Sequence, residues 1–268
     1  MPGGCAAKAA RPLAADPLTA SPGIHAYAGS VPTPSRTASG PLVRAITTLV
    51  KYSAVAQRND ALVAEQLQYY RARAAEYDAT SYGAVSAEMA SVPAIVDRLG
   101  ISGDVLELAC GTGIWTAELV RHATTLTALD GAPEMLELAR QRVPAGVHFE
   151  QADLFNWTPT RSFDAVFFSA WLSHVPADRF PGFWSAVASA LRPGGRAVAL
   201  DELPARSSHE QEIQGEVAVR TLNDGTQHEI VKVFWEPDAL VKSLTRLGWR
   251  ASVTSIENNW FILDGTRA

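Results

Sequence analysis

The chain has 268 residues, 47% hydrophobic and 19% charged, with a formal net charge of −5. Those proportions suit one substantial globular core with a smaller appendage. The charge is uneven: Lys8, Arg11, Arg36, Arg44, Lys51 and Arg58 face a single acid, Asp16, in residues 1–58, so the remainder is strongly acidic. An acidic body argues against a phosphate-backbone partner, so no nucleic acid is expected. Two cysteines, Cys5 and Cys110, do not make a disulfide framework or a thiolate metal site, and a reducing cytoplasm fits. No apolar run reaches the ~18 residues of a membrane-spanning helix, so no membrane partner is expected.

Residues 1–40 are rich in Ala, Pro, Ser, Thr and Gly and show no sustained period. Such a segment cannot bury enough apolar surface to offset its ordering entropy, and it reads as a disordered extension. Its acid-poor, Arg- and Ser-bearing character also fits a transit peptide. Leu42, Ile46, Leu49 and Val50 space a short amphipathic helix over residues 41–57. Asp60 then reads as the N-cap of a second helix through Leu62, Val63, Leu67, Tyr70, Ala74 and Tyr77. A third covers Ala87–Leu99 and stops at Gly100. Residues 41–100 are thus expected to form a helical cover in front of a core spanning 101–268.

From there strands and helices alternate. Val105–Ala109 is a short apolar strand, followed by a Gly-rich turn and a helix to Val120. Leu126–Leu129 is the next strand, and Pro133–Arg142 the next helix, with proline at its favoured first position. Val147–Glu150 is a third strand, and Phe163–Phe168 a fourth, apolar on both faces as in the middle of a covered parallel sheet. Asp178–Leu191 is helical, Pro193-Gly194-Gly195 turns, and Ala197–Leu200 is a fifth strand. Beyond it, Glu216–Leu222 and Gln227–Phe234 flank Asn223-Asp224-Gly225, a hairpin signal, giving an insertion at about 215–234. A helix after Glu236-Pro237 and strands at Trp249–Thr254 and Trp260–Leu263 finish the chain. The fold class is α/β: a doubly wound, mostly parallel seven-stranded sheet with helices on both faces.

The segment from Val105 to Thr116 carries the most chemistry. A strand ends at a turn where Gly111 and Gly113 let the backbone approach a ligand without a side chain in the way. Glu107, four residues before Gly111, is placed to hold a cationic amino group, directly or through water. Asp130 ends the next strand, where an acid takes ribose hydroxyls. Asp153 follows the third strand, where a carboxylate can accept from an exocyclic adenine amine. Each acid alone could be a cap or surface residue; three at successive strand ends point to one nucleoside site. A dinucleotide fingerprint would need a small third residue where Thr116 stands, and Glu107 would repel a diphosphate.

Glu-Leu-Ala-Cys-Gly-Thr-Gly, Ala-Leu-Asp-Gly-Ala-Pro-Glu-Met-Leu, Gln-Ala-Asp-Leu-Phe and Leu-Arg-Pro-Gly-Gly-Arg, in this order over Val105–Leu200, resemble the successive motifs of class I, Rossmann-like S-adenosylmethionine-dependent methyltransferases. Residues 69–78 resemble the helix preceding the core in bacterial small-molecule members. The resemblance implies S-adenosylmethionine as cofactor, with Gly111 and Gly113 at its methionine end. It further implies Asp130 at the ribose and Asp153 and Leu154 at the adenine, with Ala109, Gly131, Met135 and Ser169 also among the cofactor-binding residues. Tyr70, Arg73 or Tyr77 would reach the cofactor carboxylate. Trp115, bulky after the second glycine, reads as core packing.

Methyl transfer is an in-line displacement in which alignment supplies much of the acceleration. The acceptor pocket of this fold lies past the fourth strand, at Ser169-Ala-Trp-Leu-Ser-His-Val-Pro176. There His174 is the candidate general base, with a loop or cap role as the plain alternative. Trp171 could stack on a flat ligand or belong to the core, and Asp201-Glu202 face the same edge or are solvated. The acceptor is expected to be a small molecule methylated at O, N or C. No metal-ligand spacing is present, and a homodimer is compatible with the hairpin. An NAD(P)-dependent oxidoreductase and a non-catalytic cofactor-binding partner protein are the competing readings.

Overall fold

The computed structural model describes residues 41–81, 86–143, 145–209 and 213–268. The chain divides into two units, residues 1–46 and 47–268. Of the first, only residues 41–46, in the opening turns of a helix, are described; the expected disordered extension lies outside the described residues. All that follows concerns the second unit.

Helix α1 (Pro41–Arg73) is continuous where two helices were expected. Residues 42–81 contain neither glycine nor proline, so nothing compels a break. Asp60 is therefore not a cap; its carboxylate pairs with Arg179. A single 3-10 turn leads to α2 (Tyr77–Ser81), and α3 (Ser86–Leu99) follows.

The core alternates as expected: β1 (Gly103–Leu108), α4 (Ile114–Leu119), β2 (Ala123–Asp130), α5 (Pro133–Arg142), β3 (Val147–Gln151), β4 (Phe163–Ser169), α6 (Phe180–Ala190) and β5 (Leu191–Glu202). Strand β5 begins six residues earlier than expected: Pro193-Gly194-Gly195 lies within it as an irregularity against β4, with Gly194 at φ 80°. Past it come β6 (Ile213–Gln214), β7 (Val217–Thr221), β8 (Gln227–Val231), α7 (Pro237–Arg246), β9 (Trp249–Ile256) and β10 (Trp260–Arg267). The main sheet has seven strands in the order β3-β2-β1-β4-β5-β10-β9. The first five run parallel and β10 is antiparallel to both neighbours. The hairpin β7–β8 joins β6 in a separate three-stranded sheet. Its buried Ala218 and Ile230 pack against Tyr69 of α1.

Alternation along the central strands feeds two apolar layers. Leu106, Leu108, Phe168 and Ala199 meet α6 and α7 through Trp184, Val187, Leu240 and Leu244. Val105, Phe167, Val198 and Leu200 meet α3 and α4 through Val96, Leu99, Ile114 and Leu119. Gly113 is what lets α4 and α5 approach. A Cβ there would come within 3.0 Å of the Ala139 backbone and side chain, and φ is 81°. Gly113→Ala should therefore cost about 1–3 kcal/mol through overpacking and a left-handed non-glycine backbone. A chemical denaturation midpoint unchanged from wild type would contradict this.

Strand order reverses between β1 and β4: the chain winds one way through β1, β2 and β3, then crosses back to β4 and β5. Such a switch point leaves a crevice at the strands' carboxyl ends, because the loops on either side lead away in opposite directions.

Candidate functional site

A cavity of about 420 Å³ occupies that crevice, within the size range of small-molecule and cofactor sites. The ends of β1 and β4 form its floor. Each leaves its strand through a left-handed alanine, Ala109 at φ 53° and Ala170 at φ 50°. That conformation costs a non-glycine residue of order 1 kcal/mol or more, and such strain collects at ligand clamps. Gly111, at φ 55°, lines the cavity, and a Cβ there would meet nothing within 4 Å. It borders empty space, unlike Gly113, which packs on α5 and does not line the cavity.

Asp130 ties the loop down. Its Oδ2 accepts the Gly111 amide and its Oδ1 the Ala132 amide, each at 2.8 Å. Burial raises its pKa, while the two amides and that of Gly131 act against the rise. Asp153 makes a local turn, accepting the Phe155 amide at 3.0 Å and the Asn156 side-chain amide at 2.6 Å. Asp130 and Asp153 line the same cavity, together with Gly131, Met135 and Leu154. Ser169, at the end of β4, also lines it; its buried hydroxyl has no hydrogen-bond partner. A buried orphan hydroxyl on a cavity wall is an observation in favour of a polar ligand there.

Glu107 stands apart. Its side chain is buried at 2% exposure, it does not line the cavity, and Oε2 has no hydrogen-bond partner. Burial foremost, with the charge of Asp130 adding, pushes its pKa up to about 8. Glu107 thus stands behind the cavity wall, not on it. The alternation of β1 sends this side chain towards the α4 layer, behind the loop. Arg73 also lies outside the cavity lining: its guanidinium donates to Thr80 at 3.0 Å and Ser81 at 2.7 Å and covers the Tyr77 ring. Tyr77 and Tyr70 do line it.

The wall beyond β4 draws on several elements. Trp171 lines the cavity and stacks on Phe155 with centroids 5.3 Å apart; its buried Nε1 has no partner. His174 is buried, its Nδ1 2.7 Å from the Val231 carbonyl oxygen and its Nε2 2.9 Å from the Tyr70 hydroxyl. Burial, then the charge of Lys232, depresses its pKa well below the ordinary histidine value. Gln66, buried on α1, donates to the His174 carbonyl at 3.2 Å and accepts the Val231 amide at 3.0 Å. Asp201 and Glu202 are engaged internally, correcting the solvated alternative. Asp201 accepts the amides of Ser173 and Glu202 at 2.9 and 2.7 Å. Glu202 pairs with Lys232, itself only 5% exposed.

Sequence reading missed Asp60, Gln66 and Arg179. Asp60 and Arg179 are ion-paired cavity residues, and the Arg179 guanidinium lies 5.1 Å from the Phe155 ring. Gln66 and Tyr70 are four apart on α1 and so share a face, the signal that could have drawn attention to Gln66. Trp115 is half-buried against Phe167 at 5.7 Å, as core packing requires. Among the described residues, no helix is long and apolar enough to cross a membrane.

Comparison with known proteins places this geometry. A family model described as a methyltransferase domain matches residues 105–195. The structure of DhpI in complex with SAH superposes with a TM-score of 0.70 at 42% identity, covering 77% of this chain and 97% of that one. The complex of DhpI with SAM and HEP gives 0.69 at 45% identity, covering 76% and 97%. Among curated sequences, malonyl-[acyl-carrier protein] O-methyltransferase of Paenibacillus sp. (strain JDR-2) is 35% identical over 134 residues, 43% of this chain and 48% of that protein. Trans-aconitate 2-methyltransferase of Acidovorax sp. (strain JS42) is 37% identical over 93 residues, 34% of this chain and 35% of that protein. The chain spans less than half the length of these two relatives.

Proposed function

Because the chain belongs to the class I S-adenosylmethionine-dependent methyltransferases, we propose that it transfers a methyl group from that cofactor to a small molecule held in the same cavity. One observation carries the reading: Gly111, Asp130 and Asp153 from three adjoining strand ends, together with the orphan hydroxyl of Ser169, line one cavity. The residues fit the cofactor. The space beside Gly111 and Ala109 would take its methionine end, Asp130 its ribose, and Asp153 with Leu154 its adenine. When bound, S-adenosylmethionine supplies a methyl group made electrophilic by a sulfonium. The protein's part is to align the acceptor and exclude water.

The cavity wall reserved for the acceptor runs from Ser169 to His174 and is capped by Tyr70 of α1. The curated relatives name different acceptors, malonyl-[acyl-carrier protein] and trans-aconitate, so their names select none for this chain. A hollow of about 420 Å³ shared with a nucleoside cofactor limits the acceptor to a small molecule, methylated at O, N or C.

Titration calorimetry with S-adenosylhomocysteine and with NADH tests the cofactor assignment. Micromolar binding of the first and none of the second is expected. The reverse would favour the oxidoreductase reading. Transfer of labelled methyl to small alcohols, amines and carboxylates then separates an enzyme from a cofactor-binding partner protein.

A further inference from the structure

His174 Nδ1 faces a carbonyl oxygen at 2.7 Å. A carbonyl only accepts, so Nδ1 carries the ring proton and Nε2 of the neutral ring is bare. The bare Nε2 lies 2.9 Å from the Tyr70 hydroxyl, which therefore donates its only proton to histidine. The ring stays neutral because it is buried and because Lys232, Arg220 and Arg73 place positive charge around it. Burial likewise keeps the Tyr70 phenol protonated. Tyr70 is held in place by Tyr69 at 5.0 Å and by the His174 ring at 5.6 Å, both edge-on. Gln66 fastens the backbones of His174 and Val231 from the same helix face.

We propose that Tyr70 is the residue that meets the methyl acceptor, presenting an oxygen that can only accept a hydrogen bond, and that His174 is the positioning residue that fixes this polarity. The inference rests on the methyltransferase reading and deepens it: the acceptor is a molecule whose reacting atom carries a proton, an alcohol or an amine. It also removes Tyr70 from the cofactor carboxylate, since a hydroxyl whose proton is committed to histidine has none to donate there. As the acceptor's lone pair forms its bond to the methyl carbon and the carbon–sulfur pair stays on sulfur, Tyr70 Oη takes the acceptor's proton. Its own phenolic proton passes to Nε2. The positive charge lost at sulfur reappears on the imidazolium only in passing, because burial and the charges of Lys232, Arg220 and Arg73 disfavour it there, and the proton leaves to water with the product, which balances the step.

The test uses the full chain and two readouts that need no natural acceptor. Nitrogen-15 NMR of labelled histidine should show His174 in the Nδ1-protonated form, with the Nε2 signal shifting in Tyr70→Phe. An Nε2-protonated ring, or no shift, overturns the proposal. S-adenosylhomocysteine should bind Tyr70→Phe within about twofold of wild type, whereas a tenfold loss puts Tyr70 on the cofactor and overturns it. If wild type binds no S-adenosylhomocysteine, the methyltransferase reading fails first, independently of the histidine tautomer. In labelled-methyl transfer to small alcohols and amines, Tyr70→Phe should lose at least 100-fold in kcat with the KM for S-adenosylmethionine unchanged. Transfer confined to carboxylates and indifferent to the variant would count against the proposal.

Discussion

Replacing Asp130 by alanine is expected to weaken S-adenosylhomocysteine binding by about 100-fold while the chain stays folded. The reason is the loop's construction. One carboxylate accepts the Gly111 and Ala132 amides at 2.8 Å each, and so joins the turn after β1 to the turn after β2. Hydrogen bonds to a charged acceptor contribute about 1.5–3 kcal/mol each. Those two bonds are lost from the loop's own stability, whereas losing the place assigned to the ribose, at about 1.5–3 kcal/mol, accounts for the roughly 2.7 kcal/mol that a 100-fold change in affinity represents. Asp130→Asn retains one acceptor oxygen and should fall between. Calorimetry gives the affinities and a thermal melt the folding control; an Asp130→Ala protein binding as tightly as wild type would show that this carboxylate shapes no cofactor site.

Glu107→Gln should behave in the opposite sense, stabilising the protein by about 3–5 kcal/mol at pH 7–8. The Glu107 carboxyl is raised from 4.5 to about 8 by burial. Between those values the folded chain holds a proton that the unfolded chain releases. Stability from this group is therefore intact below pH 4.5 and drains away as pH rises through about 8. A tenfold difference in proton affinity between the folded and unfolded chain corresponds to about 1.4 kcal/mol, so the rise from 4.5 to about 8 sets a ceiling of about 5 kcal/mol. Glutamine, neutral and of the same shape, removes the dependence. At roughly 2–4 °C per kcal/mol for a domain of this size, melting at pH 8 should rise by on the order of 10 °C, and the difference should close towards pH 5. Parallel melting curves across that range would show that Glu107 is not held protonated by the fold.

The core was legible because its signals are local. Pro133 opens α5 as a proline at the first helical position should, and Phe163–Phe168 reads as a central strand because both its faces are covered. The hairpin around Asn223-Asp224-Gly225 was equally plain. The continuity of α1 was not: Asp60 has the chemistry of a cap, and only its partner Arg179, 119 residues away, explains its place inside a helix. The division of labour between two glycines was also hidden. Gly111 and Gly113 look alike in sequence, yet one borders open space and the other touches Ala139, a difference made by the packing of α5. Glu107 shows a further limit. Strand alternation fixes which face a residue takes, but which layer lies on that face is a property of the assembled sheet.

His174 was found by its position at a strand's carboxyl edge, but its chemistry was not. A lone histidine beside a pocket suggests a base with an open nitrogen. Here one nitrogen is bound to Val231 and the other to Tyr70, partners 57 and 104 residues distant along the chain. The pairing depends on the inserted hairpin and on α1 meeting the core at one point, which no local pattern encodes.

Crystals of the full chain grown with S-adenosylhomocysteine test the cofactor assignment most directly. Density is expected in the crevice between β1 and β4, with the ribose at Asp130, the adenine beside Asp153 and Leu154, and sulfur towards Tyr70 and Ser169. Density instead in the hollow between α3 and the β9–β10 strands, beside Trp115 and Trp260, would contradict it.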